Sequence, residues 1–132
     1  LKIVFDTNVI LSAFFTEGLS YKVFDECLNN FDIVISKWII SEIEEKLRHK
    51  FKIPNPQINQ LTKFLRTNLI NLEPTGPLPK VCRDNDDNNV LKLADFSRAD
   101  VIVTGDKDLL VLKSYLGAKI MNPRQFFEKY LQ

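Results

Sequence analysis

Histidine is almost missing from this 132-residue chain, which has only His49. Cysteine is limited to Cys27 and Cys82, with no CxxC pair. The donors for a Cys/His zinc site and the base of a Ser-His-Asp triad are therefore lacking. His49 itself sits in a basic helix end, where interaction with the helix dipole accounts for it. Two cysteines in a chain of this size point to free thiols and a reducing compartment. Glycine is equally sparse, and Gly18, Gly76, Gly105 and Gly117 are too scattered to build a phosphate-cradling loop. No stretch nears the ~20 consecutive apolar residues that span a bilayer. Asp6 interrupts the opening apolar run too early for a signal peptide, so a cytoplasmic protein without a membrane role is expected. Excess charge is absent too: 18 basic residues against 17 acidic ones leave +1. No whole-protein field announces a nucleic-acid partner.

What remains is an ordinary globular composition, 45% hydrophobic and 27% charged. The length suits one domain over residues 1–132. Residues 2–5 read as a buried strand, and Asp6, Thr7 and Asn8 supply start signals for a helix over about Val9 to Phe15. A helix over about Ser20 to Asn29 follows, then a strand at Asp32 to Ile35. Ser36 is placed to cap a helix reaching about Lys50. Pro54 and Pro56 break the chain before a helix carrying Ile58, Leu61, Phe64 and Leu65. A strand at Leu69 to Leu72 leads into the turn-rich loop 74–79. The remainder reads as a helix over about Asp87 to Ser97, a strand at Val101 to Val103, and a short helix near Asp108 to Lys113. A strand at Ala118 to Met121 and a helix from Pro123 to Tyr130 complete the chain. This alternation predicts an α/β fold with a mainly parallel sheet covered on both faces.

Acidic residues stand where such sheets collect ligands, beyond the carboxyl ends of strands. Asp6 closes Ile3-Val4-Phe5, and Asp106 follows Val101-Ile-Val-Thr-Gly105. Asp87 lies in the acidic stretch Asp84-Asn-Asp-Asp-Asn-Asn89. Each, taken singly, is explained as a helix cap. Taken together, carboxylates gathered from distant segments repel one another and raise each other's pKa, a cost that a bound cation removes. Hard divalent cations take such oxygen ligands. Helical angles choose among neighbours: Val90, Leu91 and Ala94 mark an inward face onto which Asp87 projects, whereas Asn88 is swung about 100° away. Asp84 and Asp86 are expected in the preceding loop, with Asp86 as the fallback for the third position. On the third helix Ile39, Ile40, Ile43 and Leu47 make the inward face. Glu42 falls about 60° from Ile39, better placed than Glu44 or Glu45 to reach a cleft edge.

In combination these motifs resemble the PIN-domain nuclease family. The resemblance rests on Val4-Phe-Asp6-Thr-Asn8-Val9, Glu42 after Ser41, Asp84 to Asp87 followed by Leu91 and Ala94, and Val103-Thr-Gly-Asp106-Lys-Asp108-Leu109. It covers essentially the whole chain, with the motifs in family order, and is closest to the branch described as toxin components of toxin-antitoxin pairs. It implies a three-layer α/β/α, Rossmann-like domain acting as a Mg2+- or Mn2+-dependent ribonuclease. It further implies an acidic quartet at Asp6, Glu42, Asp87 and Asp106, both catalytic and metal-binding. Asn88 is a further candidate for the third position, and Asp108 can share the role of Asp106. Asn8 and Thr104 match positions that orient the carboxylates. An antitoxin partner and a homodimer are implied in the same way.

Single-stranded or looped RNA is the expected substrate, since a cleft rather than a groove-reading helix is indicated. Lys46, Arg48, Lys50, Lys52, Lys107 and Lys113 are candidate phosphate contacts. Phe14, Phe15 and Trp38 are candidate stacking platforms, with a core role favoured for most of them. Two other readings compete. In haloacid-dehalogenase-like phosphatases an Asp after the first strand is the nucleophile, but a second Asp is needed two residues on, where this chain has Asn8. A PIN-like scaffold that binds RNA or protein without catalysis would not require intact acids at all four positions.

Overall fold

The computed structural model describes all 132 residues. Six strands alternate with seven helices: β1 (Lys2–Phe5), α1 (Thr7–Phe15), α2 (Leu19–Asn30), β2 (Asp32–Ser36), α3 (Lys37–Glu45) and α4 (Asn55–Asn68) come first. β3 (Ile70–Leu72), α5 (Asn85–Ser97), β4 (Val101–Val103), α6 (Lys107–Leu110), β5 (Ser114–Tyr115), β6 (Ala118–Met121) and α7 (Pro123–Phe126) follow. Both α3 and α7 continue into a wider, π-helical turn, Lys46–Lys50 and Phe127–Leu131.

The sheet order is β3-β2-β1-β4-β6-β5, parallel throughout except for β5 against β6. From β1 the chain steps to β2 and β3 in one direction, then crosses back to β4 on the far side of β1. Right-handed crossovers consequently place α1 to α4 on one face of the sheet and α5 on the other. The packing agrees: α1 touches α2 and α3, α3 touches α4, and α5 lies over β1 and β2. The result is the expected three-layer α/β/α architecture. Ile3, Val4 and Phe5 of β1, Ile33, Val34 and Ile35 of β2, and all of β4 are buried. Such continuous apolar runs are what a sheet covered on both faces requires.

Local chemistry sets the helix ends. The Ser36 hydroxyl accepts from the Ile39 amide at 3.2 Å, the expected cap of α3. Asp84 accepts from the Asp86 amide at 2.9 Å, so α5 begins at Asn85, earlier than expected. Asp84 is thus a cap and Asp86 a first-turn residue, which corrects their expected loop positions. α5 ends at Arg98 in the left-handed region, with the Ala99 amide closing back on the Ala94 carbonyl at 2.9 Å. α6 likewise starts early, because Asp106 caps it, and stops at Leu110. The unexpected element is β5, a two-residue strand in a hairpin whose turn residues Leu116 and Gly117 both have positive φ.

Candidate functional site

β1 and β4 are neighbours in the sheet, paired through Phe5 and Val103, and each runs directly into an acidic segment. The gap between them is the point where strand order reverses, the crevice in which α/β sheets bind ligands. The Asp6 amide donates to the Val103 carbonyl at 3.0 Å and so extends the pairing by one residue. Buried Thr104 then joins the two segments. Its hydroxyl donates to Asp6 Oδ2 at 2.8 Å and accepts from the Asp106 amide at 3.0 Å. One side chain thereby aims the first carboxylate and fixes the turn that carries another.

Asp6 occupies the position preceding α1 but makes no capping bond with its side chain. Its carboxylate is buried and committed to Thr104. Asp106 does cap, Oδ1 accepting from the Asp108 amide at 2.8 Å. Asp87 comes from the opposite layer, in the first turn of α5. It is only 5% exposed, and its Oδ2 is buried without any hydrogen-bond partner. Carboxylate oxygens of Asp87, Asp106 and Asp108 lie within 4.8 Å of one another. Arg83 holds the outermost of these acids, one guanidinium nitrogen meeting both oxygens of Asp108 at 3.2 and 3.1 Å.

Asn88, a candidate beside Asp87, is employed elsewhere. Its amide oxygen accepts from the backbone of Val81 and Cys82 at 3.2 and 2.8 Å. Its amide nitrogen donates to the Cys82 carbonyl at 3.0 Å and to Asn85 Oδ1 at 3.2 Å. The residue pins the loop ahead of α5 to the helix. Asp86 faces away from this cluster and stands beside Glu42 on α3. Neighbours on a helix diverge by about 100°, so Asp86 and Asp87 serve different sides of the cleft. Glu42 also has Lys46 at 4.0 Å, and Lys46 donates to Asn8 Oδ1 at 3.0 Å, tying α3 to α1.

The electrostatics follow from burial and crowding. Burial raises the Asp6 pKa, and the Asp106 charge adds to the rise against the Thr104 hydrogen bond. Burial pushes Asp87 up to about 7, with Asp106, Asp6 and Asp84 contributing repulsion. Glu42 is also pushed up to about 7, by burial first and then by Asp86, with Lys46 opposing. Asp6, Asp87 and Asp106 thus act on one another directly, while Glu42 borders the cleft and feels Asp86. Sequence reasoning did not single out Arg83. No sequence signal marked it, because Asp86 and Asp87 lie three and four residues on and the partner it takes, Asp108, is 25 positions away.

Carboxylate oxygens converge on this cleft, the buried Oδ2 of Asp87 is unpartnered, and burial raises the pKa of both Asp6 and Asp87. These properties suit a divalent cation, for which the converging oxygens of Asp87, Asp106 and Asp108 are available, with Asp6 a charged neighbour outside that group.

Comparison with known proteins agrees in extent and in fold. The family model for the PIN domain matches residues 2–108, from β1 through the acidic turn that opens α6. The Methanocaldococcus jannaschii protein MJ1680 is 32% identical over an alignment of 148 positions, gaps included, that spans 98% of this chain and 92% of that one. VapBC2 from Rickettsia felis, solved bound to a DNA fragment from their promoter, superposes with a TM-score of 0.66 at 14% identity. That superposition covers 92% of this chain and 98% of the other. FitAcB from Neisseria gonorrhoeae gives 0.58 at 14% identity with the same coverage of 92% and 98%. PAE2754 from Pyrobaculum aerophilum gives 0.61 at 19%, over 99% of this chain and 90% of that one. With the family model spanning every acid of the cleft, and a relative matching almost end to end, the chain belongs to the PIN-domain family.

Proposed function

We propose that this protein is a Mg2+- or Mn2+-dependent endoribonuclease, the toxin of a toxin-antitoxin pair acting in the cytoplasm. The observation that carries the reading is the unpartnered, buried Oδ2 of Asp87 facing the acids of β1 and β4. A stable fold rarely keeps such an oxygen without a ligand to satisfy it. Asp6, Asp87 and Asp106 would hold the ion, with Asp108 at its margin and Glu42 extending the site. When bound there, a divalent ion supplies charge neutralisation for an approaching phosphate and acidifies water for attack.

The chain's own groups do the rest. Thr104 keeps Asp6 aimed into the cleft, and Asn8 holds the Lys46 ammonium at its rim. Glu42, whose carboxyl burial pushes up to about 7 when no ion is beside it, would exchange a proton at its own oxygens in the neutral range. Lys46 and Lys50, which line the cleft beside Glu42, would contact the strand's phosphates.

Likeness to VapBC2 and FitAcB supports an antitoxin partner, and the two free cysteines fit a reducing compartment. A homodimer has a surface available to it. Phe14, Phe15, Tyr21, Phe24 and Phe64 line a groove of about 710 Å³ along α1, α2 and α4, and Phe15 is 52% exposed. Replacing Phe15 with Asp is expected to convert a dimer to a monomer in light scattering. An unchanged mass would remove that face from the interface.

The decisive experiment compares cleavage of single-stranded RNA by the native chain with Asp6→Asn and Asp106→Asn, with and without Mn2+. Cleavage should require the metal and fall at least 100-fold in each variant, and titration calorimetry should show the loss of Mn2+ binding. Metal-dependent cleavage surviving both substitutions would displace the site. Neither cleavage nor metal binding would leave the non-catalytic scaffold.

A further inference from the structure

We propose that the face of α3 beside Glu42 is a nucleotide subsite, in which a base of single-stranded RNA stacks on Trp38 while flanking lysines hold its phosphates. The subsite extends the RNA-cleaving reading and rests on it for its substrate class. Trp38 is the only tryptophan in the chain and the second residue of α3. Ile39, Ile40, Ile43 and Leu47 already bury the inward face of this helix. Trp38 packs one side against the core and remains partly exposed on the other. Helix docking alone calls for no indole at this position.

The exposed part of Trp38 lines two clefts. One, of about 440 Å³, also contains Lys37, Asn89 and Lys92. The other, of about 520 Å³, contains Glu42, Lys46, His49, Lys50 and Asp86. Both volumes fall in the range of small-ligand pockets, roughly 300–1,000 Å³. Glu42 and Asp86 belong to the second cleft, so it adjoins the acidic site at its Glu42 edge. Trp38 and Glu42 stand four residues apart on α3 and so share one face of the helix.

Charge is distributed to match a nucleotide. The only ion pairs in the molecule are Lys46–Glu42, Arg66–Glu44 and Arg83–Asp108. Lys37 and Lys92 on one side of Trp38, and Lys50 on the other, therefore carry unneutralised charge. Glu73 and Glu45 stand in the same clefts, where they would repel a phosphate but accept hydrogen bonds from the exocyclic amines of bases. An aromatic platform between cations is the combination that binds single strands with little sequence preference.

Because Trp38 is the sole indole, its fluorescence reports the site directly. A cleavage-resistant 2′-O-methyl RNA octamer, titrated in Mg2+, should quench it saturably. Trp38→Leu should bind the octamer about 5- to 100-fold more weakly while melting as the native chain does, and Trp38→Phe should recover most of the affinity. The double variant Lys37→Gln/Lys92→Gln should reduce the slope of log affinity against log salt by about 1.4. If the native chain cleaves RNA but shows no quenching, or Trp38→Leu binds as tightly as native, the subsite is refuted and the nuclease stands. If quenching and the Trp38→Leu defect appear without cleavage, the subsite holds and the catalytic reading falls.

Discussion

Thr104 carries a single hydroxyl, used once as donor to Asp6 and once as acceptor from the Asp106 amide. Valine has nearly the same shape but can do neither. Thr104→Val should therefore leave a buried carboxylate oxygen of Asp6 unpaired, at a stability cost of about 1–3 kcal/mol. Groups that orient metal ligands typically matter 10- to 100-fold, so Mn2+ affinity by calorimetry should drop by about that factor, with Thr104→Ser restoring it. Unchanged affinity in Thr104→Val would show that Asp6 needs no orienting. The sequence already hinted at this residue, since it lies between a strand end and an acid. The identity of its partner was invisible there, because Asp6 and Thr104 are separated by 98 positions and only strand pairing brings them together. Asp87 was legible for the opposite reason, its inward direction being fixed by Val90, Leu91 and Ala94 on its own helix.

Among the elements, those marked by a buried apolar run or a capping residue matched expectation, and those set by backbone geometry alone did not. β1, β4 and the cap of α3 follow from local residue order. The wider turn at Lys46–Lys50 has no such signature, since its residues suit an α-helix equally well. β5 is two residues long, below any period, and its turn uses Leu-Gly in place of the usual Asn-Gly. Leu116 holds φ at 46° and is 68% exposed, so it bears left-handed strain without a packing reward. Leu116→Asn should relieve about 1 kcal/mol, raising the melting temperature by roughly 3–5 °C. A fall in melting temperature would mean that Leu116 makes contacts worth more than the strain.

For the molecule as a whole, the acidic cleft makes stability depend on pH and on metal together. Folded Asp87 and Glu42 keep their protons up to about pH 7, whereas unfolded carboxyls release theirs near 4. Between those values the native state binds more protons than the unfolded one. Metal-free stability should consequently fall as pH rises from about 4 to 7, then level off. Calorimetric melting in EDTA should show that slope, and Asp87→Asn should flatten it. A divalent ion competes with the proton, so Mn2+ should raise the melting temperature at pH 8 and hardly at pH 5.5. At 100 times its dissociation constant it would contribute about 2.7 kcal/mol. Equal stabilisation at both pH values would show that the ion binds away from these carboxyls.

The pairing of β1 with β4 also sets a timetable for biosynthesis. Asp6 leaves the ribosome before its partner Thr104, which is made 98 residues later. At about 5–20 residues per second that gap lasts roughly 5–20 seconds. During it β1 has only β2 beside it and presents an open edge where β4 will dock. The cleft cannot assemble piecemeal on a nascent chain. It forms in one step, when the late strand fills the middle of a sheet begun from the other end.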